Sequence, residues 1–400
     1  MNASLDISHD KTLLWLMAMA CGLCAGANYY CQPLIASIQH SFQIPQSQVA
    51  LTVTFAQISY ALGLLFIVPL GDIVNKAKFI PLLMLGAAIG LGLCALSTNL
   101  YMLWIGTIIT GLFSVAAQVL IPLVTLAVRS EKTGAVVGFL MSGLLVGILL
   151  STSLSGLLSN LIHWKAIYVL SAVLMLIIAL LLKTRLPRVS IIQMTYLKIF
   201  QSMGRLLKQE RRLVYRSLIG GCVFAAMSML FSTIAMLLTQ PPFNLADVWV
   251  GIVTLVGVFG ALSTQWVGRL ADQGYNTILT WVGCTILAIS WGLLYIGGNS
   301  LGFYTIGYGL ISLGLAMVHS CNQNIIFQLN PIARSRINSI YMTSYFIGGA
   351  CGSALGVFAW HHGGWPMTCL TGLSLVFAAA IFILFDQFHR PQPKANAESI

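Results

Sequence analysis

The sequence predicts an all-α membrane protein of twelve transmembrane helices arranged as two pseudo-symmetric six-helix bundles. Three observations carry this. Hydrophobic residues make up 58% and charged residues 7% of 400 residues, against about 25% charged in an ordinary soluble domain, so the solvent must be lipid. Apolar runs long enough to cross a bilayer recur along the whole chain. A short polar loop also appears once in each half, PLGDIVNKAK (Pro69 to Lys78) and VGRLADQG (Val267 to Gly274), with Asp72 and Asp272 at equivalent places.

A helical span needs ~20 mostly apolar residues. In order, the candidates run Thr12–Ile35, Val49–Pro69, Phe79–Ser97, Tyr101–Val128, Gly134–Leu158, Lys165–Leu182, Arg216–Thr239, Asp247–Val267, Thr277–Gly297, Leu301–Phe327, Asn338–Trp360 and Trp365–Phe385. We number them spans 1 to 12. Every Lys and Arg except Lys165 falls in the termini or in an even-to-odd connection, as Lys76, Lys78, Arg129, Lys132, Arg269, Arg334 and Arg336 illustrate. The positive-inside rule then puts both termini in the cytoplasm. A missed span would scramble that regularity. Lys165 reads as a snorkelling anchor at the outer surface.

The chain divides into residues 1–182, a basic linker over 183–215, and residues 216–400. From Lys183 to Arg216 there are nine Lys/Arg and one acid, Glu210, interspersed with Ile199, Leu206 and Leu207. That pattern predicts an amphipathic helix on the inner membrane surface, a lipid tether rather than a nucleic-acid site. A second echo of duplication is Trp164 opening span 6 and Trp365 opening span 12. The net charge of +11 sits in loops and forms no stripe for nucleic acid. The nine cysteines show no metal-ligand spacing and predict no disulfides, and no cleavable signal is apparent.

The two loops resemble the hallmark loop of the major facilitator superfamily, which reads roughly G-x-L-A-D-R-x-G-R-R/K between its second and third spans. Leu70, Gly71, Asp72, Lys76 and Lys78 follow that outline, while Val68, Ile73 and Asn75 depart from it; Gly268, Leu270, Ala271, Asp272 and Gly274 form the second copy. Further stretches look like the bacterial twelve-span drug/proton antiporter branch: NYYCQPL (Asn28 to Leu34), SVAAQVLIPL (Ser114 to Leu123), MSGLLVGILL (Met141 to Leu150) and ARSRINSIYMTSYFIGGACGSALG (Ala333 to Gly356). Thr107 and Thr110 stand where many family antiporters carry Arg and Gln, and span 5 lacks their Gly-Pro pair. The resemblance implies a bacterial inner-membrane transporter whose spans 1, 4, 7 and 10 line a central cavity. It also implies a conformational gate at Asp72, Lys76 and Asp272, the aspartates facing the positive end of a helix dipole.

All nine acidic residues lie at termini, loops or span ends, Asp247 and Asp386 among them. The usual mid-membrane carboxylate of a proton antiporter is therefore missing. His319 is the exception among ionisable groups, past the middle of span 10 with Asn322 and Gln323 at i+3 and i+4. An imidazole can gain and lose a proton near neutral pH, so His319 is the proton-coupling candidate; the plainer alternative is a neutral histidine bonded to a neighbouring helix. Polar stripes mark the other implied cavity spans: Asn28, Tyr29 and Gln32 in span 1; Thr110, Ser114 and Gln118 in span 4; Ser228 and Ser232 in span 7. Each could equally glue helices together. Gln57, Tyr60, Tyr341 and Tyr345 are second-rank candidates. Glycines at 143, 147 and 156 in span 5, and at 348, 352 and 356 in span 11, have the spacing of close helix contacts.

The expected function is secondary active transport by alternating access, with proton-coupled efflux of a small neutral or amphipathic organic compound. The expected partners are that small molecule and the bilayer, with a monomeric state, no nucleic acid, no metal and no cofactor beyond the proton gradient. A uniporter or importer of a small polar metabolite is the alternative within transport. A membrane enzyme would need a convergent catalytic set, and His361 with His362 is the nearest approach to one. A receptor would need a soluble domain larger than any loop here.

Overall fold

The computed structural model describes residues 6–128, 130–189, 195–329 and 334–388. The side chains of Asp72, Lys132, Arg269, Asp272 and Arg334, and the whole of Arg129, lie outside the described set, so the gate aspartates and several of the basic loop residues have no side-chain description. The described residues are helical with no strand. Lipid offers no hydrogen bonds to the backbone, so each crossing must satisfy its own.

Nine helical stretches among the described residues are long and apolar enough to cross a membrane. One of them, Arg336–Phe388, holds two spans, because Gly363 and Gly364 break it with Gly364 at φ 62°. That left-handed backbone is open to glycine, and it turns the chain back between spans 11 and 12. The two remaining crossings are interrupted helices. Span 1 runs Lys11–Gly26, gives way to turns, and resumes as Ile35–Phe42; Pro33 in the gap has no backbone N–H to continue a helix. Span 8 is Asp247–Leu255 followed by Val258–Leu270. Side chains of Asp10, Asn75 and Asn99 cap spans 1, 3 and 4 by accepting from backbone N–H groups at 2.9–3.0 Å, which replaces bonds that a first helical turn lacks. Twelve crossings result, as the apolar runs predict.

Helix contacts repeat between the halves. Span 1 packs on span 5 where Gly22 and Gly26 meet Gly143 and Gly147, and span 7 packs on span 11 where Gly221 and Ala225 meet Gly348 and Gly352. In both pairs a side chain on the glycine would strike backbone. Contacts between the halves are paired in the same way, span 2 with span 11 and span 8 with span 5. Thr54 bonds Ser353 at 2.8 Å, Tyr60 packs on Phe346 at 4.4 Å, and Ser339 donates to the Leu64 carbonyl at 2.8 Å. On the other side, Thr254 bonds Thr152 at 2.8 Å and Ser153 donates to the Gly251 carbonyl at 3.2 Å.

We call the side bearing residues 6–10 and 388 the terminal face and the opposite side the far face. At the far face Asp247 of span 8 accepts from Ser37 of span 1 and, at 3.1 Å, from Ser159 of span 5. Lys165 does more than snorkel there. Its Nζ donates to the Ser97 carbonyl at 2.6 Å and lies 5.4 Å over the Trp164 ring, a cation placed at the negative end of span 3. Trp365 makes the matching plug in the second half through its Nε1 to the Leu294 carbonyl at 2.7 Å.

The linker contains a helix, Tyr196–Gln209. Its buried face is Ile199, Met203 and Leu206, while Leu207 is exposed. The three buried positions recur at four and three residues, the helical repeat. This face packs against the bundle, where a bare lipid tether was expected. Tyr196 donates to the Phe66 carbonyl at 2.6 Å, and Ser202 is bonded by Arg336. Span 7 begins at Arg211, so Arg216, expected at the interface, lies inside the helix. All nine cysteines are free thiols.

Candidate functional site

A central cavity of about 240 Å³ lies between the halves. It sits beneath the Thr152–Thr254 contact, on the side of the terminal face. Spans 1, 5, 7, 8, 10 and 11 supply its walls. Leu144, Leu145, Ile148, Phe224, Met227 and Phe231 make the lining largely apolar, and its polar members include Gln32, Ser312, His319 and Tyr345. No Asp, Glu, Lys or Arg lines it among the described residues. Broken helices often mark the binding level of transporters, and here the break in span 1 brings Tyr29 and Gln32 to the cavity. Tyr29 meets Phe231 edge-on at 5.5 Å. Gln32 is 1% exposed, and its amide nitrogen has no hydrogen-bond partner.

His319 stands on the cavity wall. Its ring lies 4.8 Å from that of Tyr345, which stacks in turn on Phe224 at 4.0 Å. Its Nδ1 is 3.0 Å from the Tyr341 hydroxyl. Tyr341 comes this close to span 7 because Gly220 leaves room; a Cβ there would sit 2.8 Å from the hydroxyl. Behind Tyr341 a polar chain continues away from the cavity. Asn322 Nδ2 points at the Tyr341 hydroxyl at 3.5 Å and at the Arg216 carbonyl at 3.3 Å, and Asn322 Oδ1 accepts from Arg216 Nη1 at 3.2 Å. Arg216 reaches Thr280 through Nη1 at 3.3 Å and Asp386 through Nε at 3.0 Å and through Nη2. Arg212 adds a bond to Asp386 at 3.3 Å.

This corrects the reading of Asp386 and Arg216 as ordinary span-end charges. Both side chains have zero exposure, and a buried charge persists only when paired. The residues that the sequence reading missed form one of the most polar clusters in the described bundle. The available signal was faint: an acid one residue past the end of span 12 and the base that opens span 7 both fall at the ends of their spans nearest the terminal face.

Other candidates separate into two groups. His319, Tyr29 and Gln32 reach the cavity, with Tyr345 from the second rank. Asn322 lies behind it in the polar chain, and Gln323 is not among its lining residues. The span 4 stripe turns inward within the first half instead of lining the cavity. Asn28 donates to Ser114 at 3.0 Å and to the Cys24 carbonyl at 3.2 Å, and Thr110 donates to the Gly106 carbonyl at 2.8 Å. Gln118 stands beside the Tyr60 hydroxyl. Ser228 is fully buried, and Ser232 donates to the Ser353 carbonyl of span 11 at 3.2 Å. Gln57 is buried with neither amide atom partnered. Lys76 is 4% exposed where it opens span 3. Among the described residues no group of His, Cys, Asp and Glu could hold a metal.

A family model described as Major Facilitator Superfamily matches residues 18–331. The chain belongs to the Major Facilitator Superfamily. It is 40% identical over 388 residues to Uncharacterized transporter YgaY of Escherichia coli O157:H7, covering 97% of this chain and 98% of that one. Two solved transporter structures share the fold. The nucleoside transporter NupG superposes with a TM-score of 0.75 at 11% identity, covering 94% of this chain and 99% of that one. A bacterial homolog of the human lysosomal transporter Spinster, inward-facing and occupied, also gives 0.75, at 14% identity and 95% and 97% coverage. Membership makes the chain a multi-pass membrane transporter and not an enzyme.

Proposed function

We propose that this superfamily member is a secondary active transporter of the drug/proton antiporter type in a bacterial inner membrane, with both termini cytoplasmic. It exports a small neutral or amphipathic organic compound, and His319 couples export to the proton gradient. The observation that carries this reading is the lining of the central cavity. It is mostly apolar, bears no Asp, Glu, Lys or Arg among the described residues, and places His319 on the wall. Such a surface suits an uncharged, partly apolar molecule. An imidazole is the side chain whose unperturbed charge changes near neutral pH.

In this reading residues 1–182 and 216–400 rock about the cavity, joined by the linker over 183–215. The contacts of Asp247 with Ser37 and Ser159 hold the far face shut in the present state. Asp72, Lys76 and Asp272 hold the terminal face in the opposite state. Substrate enters from the terminal face, protonation of His319 from the far side resets the cycle, and the monomer is sufficient. The test is transport by purified protein in proteoliposomes under an imposed pH gradient, across a panel of small aromatic and aliphatic solutes. Wild type should accumulate at least one solute against its gradient, and His319→Ala should lose the dependence on pH while still equilibrating that solute. Uphill, pH-driven accumulation by His319→Ala would refute the coupling role.

A further inference from the structure

We infer that Arg216, Asn322 and Tyr341 form a directional hydrogen-bond chain that fixes neutral His319 with its proton on Nε2, so that the residue offers a hydrogen-bond donor to a molecule in the cavity. The consequence for substrate class rests on the cavity being the transport site, as proposed above; the tautomer itself does not.

The direction follows from counting donors. A guanidinium has five N–H groups and no acceptor. Arg216 Nε and Nη2 face Asp386, and Nη1 faces Thr280 and Asn322. Thr280 gives its own proton to the Asn276 carbonyl at 2.7 Å, so it can accept from Arg216. The Asn322 atom that meets Nη1 must therefore be the carbonyl oxygen. That choice turns the amide nitrogen toward the Arg216 carbonyl and the Tyr341 hydroxyl. An amide nitrogen only donates, so Tyr341 accepts from Asn322 and spends its single proton on the remaining neighbour, His319 Nδ1 at 3.0 Å. A neutral imidazole that accepts at Nδ1 carries its proton at Nε2.

Arg216 is thus a positioning residue, remote from the cavity, whose charge sets the polarity of a group that lines it. Gln32 works in the same sense, since this residue lines the cavity and its amide nitrogen has no hydrogen-bond partner. A molecule recognised by both groups presents acceptors, such as carbonyl or ether oxygens or an unprotonated ring nitrogen. The chain also gives protonation a structural effect. A second proton on His319 would go to Nδ1, leaving the Tyr341 hydroxyl with two donors facing it and no acceptor for its own proton.

The test is nitrogen NMR of ¹⁵N-histidine-labelled full-length protein in proteoliposomes at alkaline pH. The seven histidines are resolved by comparison with His319→Gln. Wild type should show His319 protonated at Nε2 and bare at Nδ1. Asn322→Asp keeps the shape but replaces the donor by an acceptor. Tyr341 would then donate to the carboxylate and accept from His319, moving the proton to Nδ1. A wild-type His319 protonated at Nδ1, or a folded Asn322→Asp protein with its tautomer unchanged, would overturn the inference. Should Asn322→Asp not fold, Tyr341→Phe keeps the ring against Gly220 and removes the hydroxyl. It should give a mixture of tautomers, and an undiminished Nε2–H form would overturn the inference equally. No arm measures transport, so failure here leaves the transport proposal standing, and failure of transport leaves this result readable.

Discussion

Arg216 Nε and Asp386 Oδ2 lie 3.0 Å apart, and neither side chain is exposed. Removing one member of such a pair strands the other charge, at a typical cost of about 3–5 kcal/mol, whereas replacing both with apolar residues of similar size is often neutral. Arg216→Met and Asp386→Leu should each lower the thermal midpoint in detergent sharply. The double variant should recover most of the loss. Equal damage in all three proteins would mean that the pair is not an energetic unit. The double variant also removes the origin of the polar chain to His319, so, on the proposed coupling through His319, its recovered stability should come without pH-driven transport.

Gly147 and Gly92 separate two uses of glycine. Gly147 is pressed against the backbone of Gly22, whereas nothing lies within 4 Å of a Cβ built on Gly92. Gly147→Ala must part spans 1 and 5 and should destabilise by about 1–3 kcal/mol, the usual cost of overpacking. Gly92→Ala, inside the Lys76–Leu96 helix, should stabilise by about 0.5–1 kcal/mol because alanine loses less backbone freedom on folding. Melting curves of the two variants under identical detergent conditions decide the matter, and a loss in Gly92→Ala as large as in Gly147→Ala would contradict the assignment.

Much of this architecture was legible in the sequence because lipid imposes a length and a polarity that few alternatives satisfy. His319 was legible for the same reason, as an ionisable group within an apolar run. The break in span 8 was not, since Val256 and Gly257 leave hydropathy unchanged, and the break in span 1 had only Pro33 to mark it within a run of spanning length. The stripe of Thr110, Ser114 and Gln118 has helical spacing, but spacing cannot say which neighbour it faces. Asn28 bonded to Ser114 turns it away from the central cavity. Arg216 and Asp386 escaped notice because each sits beside ordinary loop charges, and only their mutual approach distinguishes them. Leu207 and Met203 exchanged roles in the linker helix because the charges around them fix its amphipathy but not its rotation.

Asp247 joins three spans at the far face, through Ser37 and Ser159. A hydrogen bond to a charged group contributes about 1.5–3 kcal/mol, and each ~1.4 kcal/mol is tenfold in an equilibrium. Asp247→Ala should therefore favour opening of the far face by about tenfold or more. A cysteine placed at Thr254, beneath this contact, reports the change through its labelling rate with an impermeant maleimide applied from the far side. Faster labelling in the Asp247→Ala background is expected. An unchanged rate would show that the close backbone approaches of Gly251 to Thr152 and of Gly156 to Asp247 close that face alone.

The linker helix is held to both halves at the terminal face, by Tyr196 on Phe66 in the first and by Arg336 on Ser202 in the second. Its apolar face of Ile199, Met203 and Leu206 is buried, so it resists separation of the two spans it touches. Tyr196→Phe removes one bond while keeping the ring that packs on Phe200 at 4.9 Å. At about 0.5–1.5 kcal/mol for a hydrogen bond, amide exchange over residues 196–209 should quicken roughly two- to tenfold. Leu206→Ala removes buried apolar surface and should act in the same direction and more strongly, since core truncations of this kind cost about 2–5 kcal/mol. Because the strap crosses only the terminal face, both variants should raise maleimide labelling at that face and leave the far-face rate at Thr254→Cys unchanged. A matching rise at both faces would mean that the variants loosen the whole bundle, and the linker would then be a general support rather than a restraint on one gate.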